Sequence, residues 1–94
     1  MHRYVIERDL PGAGTLTTDQ MRVVAQASNA ALRALAPDVQ WVQSNVTADR
    51  IYCVYLAEGE AVVREHAARA GIPVTKVSRV THIVDPMSGE PGTA

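Results

Sequence analysis

Six segments of alternating strand and helix character, in the order β-α-β-β-α-β, predict an α+β domain whose antiparallel sheet carries both helices on one face. Three observations carry that prediction. A short β-branched run, "RYVIERD", leads into a turn-rich "LPGAG" and then into a long segment with apolar residues at three- and four-residue spacing. Two strand-like runs, "VQWVQSNV" and "IYCVYLA", are separated only by "TADR", the spacing of a hairpin. A second helical segment and a last β-branched run, "VTKVSRVTHIVD", complete the pattern with no visible repeat and no linker long enough to divide it. This is the split βαβ, or ferredoxin-like, plan with a four-stranded antiparallel sheet. The domain is expected over residues 1 to 86, and residues 87 to 94 have the composition of a flexible tail.

Each element has its own local reason. Residues 3 to 9 are short, β-branched and bounded by Pro and Gly. In the first helix Thr17 or Thr18 offers a hydroxyl cap. Met21, Val24, Ala25, Ser28, Ala31, Leu32 and Leu35 then share one face, and Pro37 ends the helix. In the second strand Val42 and Val46 alternate with Trp41, Gln43 and Asn45, which places Trp41 on the side away from the two valines. The third strand is apolar at both parities, with Ile51, Cys53 and Tyr55 on one side and Tyr52, Val54 and Leu56 on the other. "EGEAVVREHAARAG" is a helix closed by Gly71, whose missing Cβ suits the left-handed position after a helix end. The final strand is expected over residues 74 to 85.

A third strand with two dry sides does not suit a half-solvated sheet. The helices cover one face only, so the other face, to which Trp41 is also assigned, wants a partner. A second copy is the simplest one, because a twofold pair covers the exposed sheet of both chains with one interface. A homodimer joined through its sheets is therefore expected.

Composition excludes several classes. The 94 residues allow one core, and with no Phe its bulk must come from Trp41, Tyr4, Tyr52 and Tyr55. Nine Lys and Arg stand against ten Asp and Glu, so there is no broad field to attract nucleic acid or an anionic membrane. No apolar run is long enough to span a bilayer, and the start reads as a strand, so a cytoplasmic protein is expected. One cysteine excludes an internal disulfide and the paired-cysteine zinc and copper frameworks.

Few residues suggest chemistry. His66 lies on the second helix facing the sheet or skirting its edge. It reads either as a core-packed histidine with a ring nitrogen on a carbonyl or as a metal ligand. Glu65 stands four residues before Arg69, the spacing of a surface ion pair. Glu7, at the end of the first strand, is a carboxylate placed where it could meet His66 or the start of the second helix, and Asp9 shares its parity. Cys53 reads as a small buried hydrophobe, or as a thiolate ligand if a metal or cation lies close. His2 and His82 become near neighbours if the first and last strands pair antiparallel. "PGAG" lacks the spacing of a phosphate loop, and no nucleophile motif is present.

The segments "YVIERDLPGAG", "QWVQSNVTADRIYCVYLAEGE" and "REHAARAGIPVTKVSRVTHIVDP" resemble a family of small, homodimeric ferredoxin-like proteins, one characterised member of which binds nickel. The resemblance spans roughly residues 4 to 86. It implies a divalent transition metal, nickel first, with His66, Glu7, Cys53 and Glu65 as the first positions to test as ligands. The activity it implies is that of a metal carrier, buffer or sensor without catalysis. The runner-up reading is a small dimeric enzyme of monooxygenase or isomerase type, with a pocket between helices and sheet lined by Tyr55, Cys53 and His66. The third is a plain interaction module whose sheet face binds itself or another chain.

Overall fold

The computed structural model describes residues 1–92. Strands β1 (His2–Asp9), β2 (Val39–Val46), β3 (Arg50–Ala57) and β4 (Lys76–Arg79) alternate with helices α1 (Thr18–Leu35) and α2 (Glu60–Ala70) in the expected order. The strands form one antiparallel sheet in the order β2-β3-β1-β4, which is the ferredoxin-like arrangement.

Register explains which side chains meet the helices. Across the sheet Ser44 is paired with Cys53, Cys53 with Ile6, and Ile6 with Val77. One step along, Trp41, Tyr55 and Tyr4 form a second row on the same side. Paired residues share a face, so Tyr4, Ile6, Cys53 and Tyr55 all point at α1 and α2 and are buried. Val63 and Ala67 of α2 close this core from above. Tyr52, Val54 and Leu56 point the other way and are half-buried on the open face, as their parity predicts.

Trp41 departs from its expected side. A bulge between Trp41 and Gln43 inserts Val42 as an extra residue opposite β3. Trp41 is thereby paired with Tyr55 on the helix side, Ser44 and Val46 keep the helix side that the parity of Val46 gave them, and Val42 is left outside and exposed. Trp41 therefore belongs to the helix-covered layer and not to the open face.

The helices begin and end as their termini predict. The Thr17 hydroxyl accepts the Gln20 N–H at 3.1 Å, and the Gln20 side chain accepts the Thr17 N–H at 2.9 Å. Two otherwise orphaned donors of the first turn are thus satisfied. Gly71 ends α2 with φ 69°. Gly14 is required by close approach, since a Cβ there would lie 2.9 Å from the Ala48 Cα.

α1 packs by its second half. Ser28 and Ala31 are buried and small enough to let α2 come close, whereas Met21 and Val24 keep 38% and 41% of their surface exposed. The first half of the expected apolar face consequently stands away from the sheet.

β4 is shorter than the strand expected over 74 to 85. Val80 still donates to the Arg3 carbonyl at 2.8 Å. Its one neighbour, β1, begins at His2, opposite Thr81 in this register, so His82 to Asp85 have no strand beside them. His82 accordingly lies outside the sheet, and the neighbour of His2 is Arg79, 2.9 Å from its Nδ1. Of the expected tail, Met87 to Gly89 belong to a short turn that Asp85 caps at Pro86–Gly89; Thr93 and Ala94 lie outside the described residues.

Candidate functional site

The sheet rows place an arginine under the helices. Arg8 continues the inward parity of Tyr4 and Ile6, is paired with Ile51, and is only 1% exposed. Its Nε donates to the Cys53 sulfur at 3.3 Å, its Nη1 to the Pro73 carbonyl at 2.7 Å and its Nη2 to the Tyr55 hydroxyl at 3.4 Å. None of these partners is a carboxylate, and among the described residues Arg8 forms no salt bridge. Guanidinium stays charged in any protein setting, and burying such a charge without an opposite one costs several kcal/mol.

The Cys53 sulfur also accepts the Ser44 hydroxyl at 3.0 Å, and that hydroxyl accepts the Trp41 Nε1–H at 3.0 Å. Cys53 is thus a buried sulfur at the end of a polar chain, held between a hydroxyl and a cation. The bulge in β2 is what puts Trp41 and Ser44 on the same side of the sheet.

His66 is fully enclosed between α1 and the sheet. Its Nε2 lies 3.2 Å from the Ser28 carbonyl and 3.1 Å from the Ser28 hydroxyl. A carbonyl can only accept, so Nε2 carries the proton and Nδ1 holds a lone pair. That Nδ1 has no partner among the described residues. The Tyr55 ring lies against it with centroids 5.1 Å apart. Burial, above all, holds the ring's pKa below its ordinary value; the Ser28 carbonyl opposes this and the Arg8 charge reinforces it. Burial likewise pushes the Tyr55 phenol up, helped by Cys53 and opposed first by the charge of Arg8 and then by hydrogen bonding to Arg8 and Ser28.

Beside these groups lies a cavity of about 230 Å³ between α1 and the sheet. Arg8, Ser28, Ser44, Cys53 and Tyr55 are its polar lining, and the rest is apolar, including Leu16, Met21 and Trp41. The raised first half of α1 makes its roof and leaves its mouth open to solvent at Met21 and Val24.

The four sequence candidates for metal ligation do not converge in one chain. Glu7 has the opposite parity to Arg8, so its carboxylate lies on the open face and accepts from Arg50 at 3.4 Å; it does not meet His66 or α2. Glu65 is on the outer surface of α2 and pairs with Arg69 at 3.2 Å, as its spacing predicts. His66 and Cys53 are inside, near the Arg8 cation. Among the described residues no three His, Cys, Asp or Glu side chains are grouped to hold an ion. A centre built from all four of these residues in a single chain does not fit this arrangement.

Arg8 and Ser44 are the polar cavity-lining residues that sequence reasoning passed over. The signal for Arg8 was present, because strict alternation from Tyr4 through Ile6 reaches it. A signal for Ser44 was present too, since it shares the parity of Val42 and Val46, the side away from the open face.

The fold and the chamber beneath its helices define a small ferredoxin-like domain with an internal ligand-sized cavity. The family model described as "Nickel responsive protein SCO4226-like" matches residues 4–80, and the chain belongs to that family. The crystal structure of SCO4226 from Streptomyces coelicolor A3(2) is similar to this chain with a TM-score of 0.68, covering 87% of this chain and 99% of that one at 24% identity. That likeness shows the shared fold. No curated protein matches the chain. Among the described residues no helix is long and apolar enough to cross a membrane.

Proposed function

We propose that the protein takes up a divalent transition metal, nickel first, as a carrier, buffer or sensor with no catalytic step, and that a second copy of the chain completes the donor set. The observation that carries this reading is membership, over residues 4–80, of a family whose name is nickel responsive. Two features of the chain support the shared site. One protomer holds no converging donor group among its described residues. The open sheet face has an apolar centre of Val5, Tyr52, Val54 and Leu56, half-buried with no helix over it, which suits a twofold partner.

Ni(II) favours imidazole, carboxylate and water oxygens. Of the four candidate positions Glu7 is the one that stands on the open face, beside Asp9. Arg50 already lies between these two carboxylates, 3.4 Å from Glu7 and 2.7 Å from Asp9. An incoming ion displaces that guanidinium. Glu65 is reachable on the helix surface, whereas an ion reaches His66 and Cys53 only by parting α1 from the sheet. Calorimetric titration of nickel into tag-free protein tests the reading. Uptake should weaken in Glu7→Gln, tighten in Arg50→Met and persist in His66→Ala. No uptake by the native chain, or uptake indifferent to both Glu7→Gln and Arg50→Met, would overturn it.

A further inference from the structure

We infer that the cavity between α1 and the sheet is a binding site for a small monocarboxylic acid with an apolar body, its carboxylate on Arg8 and its ring or branched chain against Trp41. The site is separate from the open sheet face and goes beyond any role in metal uptake.

The charge is the first reason. Arg8 has five N–H donors. The protein takes one from Nε, one from Nη1 and one from Nη2. One donor on each terminal nitrogen is left without a protein acceptor, which is the number a carboxylate takes in a forked pair. Its three present acceptors are a thiol sulfur, a carbonyl and a phenol, so the guanidinium is oriented but not neutralised. A buried cation fixed at a cavity wall with donors to spare is what an anionic ligand completes.

The lining sets the rest of the ligand. Away from Arg8 the walls are Leu16, Met21, Val24, Trp41 and Ile51, with only single hydroxyls between them. Such walls reward an apolar body and leave a second negative charge without a partner, so a monoanion fits better than a phosphate. At about 230 Å³ the chamber is smaller than a drug-sized pocket, which starts at roughly 300 Å³, so one ring or a short branched chain fills it. Nothing forces the chamber to close, because its mouth at Met21 and Val24 is open to solvent.

The same chamber is a poor place for a cation. The Arg8 charge faces Cys53 and Tyr55 directly and lies near His66. A divalent ion there would meet a like charge that cannot be deprotonated.

Titration of the full chain with benzoate, read by calorimetry and by the emission of Trp41, tests the inference. Trp41 is the single tryptophan, so any change in emission reports on the cavity wall. Benzoate should saturate one site per chain and shift that emission. Benzamide, of the same shape but neutral, should bind about tenfold or more weakly, the worth of a charge-assisted hydrogen-bonded pair over a neutral one. Inorganic phosphate should not compete. Arg8→Met should abolish the preference for acid over amide. Val24→Phe, at the exposed mouth, should block benzoate while leaving Arg8 untouched, and it decides the matter if Arg8→Met does not fold. The inference is overturned if benzoate does not bind, if benzamide binds equally well, if phosphate competes as strongly as benzoate does, or if Val24→Phe binds benzoate undiminished.

Discussion

The buried imidazole of His66 makes the stability of this protein depend on pH between neutral and mildly acid conditions. The ring is fully enclosed, and burial holds its pKa below the ordinary 6.5. The unfolded chain therefore binds a proton, below about pH 6.5, that the folded chain refuses. Stability is complete above that value and is lost as pH falls toward the depressed folded value, after which the loss levels off. The slope reaches at most about 1.4 kcal/mol per pH unit, the free energy of one proton's difference. Integrated from about pH 7.5 to about pH 5.5 against the unfolded value, the loss is bounded at about 1.4 kcal/mol. The groups that face the ring are the Ser28 carbonyl and hydroxyl from α1 and Tyr55 from β3, with the charge of Arg8 from β1 close by. Urea unfolding across this range measures the effect directly. His66→Gln keeps a side-chain N–H for the Ser28 carbonyl but cannot titrate, so its stability should fall less steeply in the same window. Equal slopes for the native chain and His66→Gln, or a native chain that gains stability on acidification, would refute the reasoning.

Three further outcomes are expected. Gly14→Ala should cost about 1–3 kcal/mol in urea unfolding, because the new Cβ meets the Ala48 backbone and not a flexible side chain. In an alkaline absorbance titration the Tyr55 phenol should ionise later than free tyrosine, and Tyr55→Phe should remove that late step. Val54→Lys places a charge at the apolar centre of the open face; on the proposed pairing, sedimentation should show a twofold pair for the native protein and a folded single chain for the variant.

Much of the architecture was legible before the structure, and for identifiable reasons. The Thr17 cap, the Gly71 stop and the two-sided β3 are local signals, each set by a few neighbouring residues. The Glu65–Arg69 pair was legible for the same reason, since helical spacing alone brings the two together. Core packing of His66 on a carbonyl was one of its two readings, and the ring's contact with the Ser28 carbonyl matches it. What escaped depended on pairing between distant segments. No Gly or Pro marks the bulge at Val42, yet that single inserted residue turns Trp41 toward the helices and Val42 away from them. β4 covers only Lys76–Arg79 although its β-branched content runs further, and beyond Thr81 the register leaves no β1 residue to pair with. Arg8 obeyed the alternation of its strand, but arginine is seldom fully buried, and that general rule hides the clearest feature of the cavity.

The proposed metal role places an ion at donors from two chains on the open sheet face, not within the helix layer of one. Anomalous scattering from crystals of the tag-free protein grown with nickel tests this most directly, because it locates ions without assuming ligands. The account predicts a peak between two sheets, within coordinating distance of Glu7. A peak enclosed with His66 and Cys53 in one protomer, or no ordered nickel at all, would contradict it.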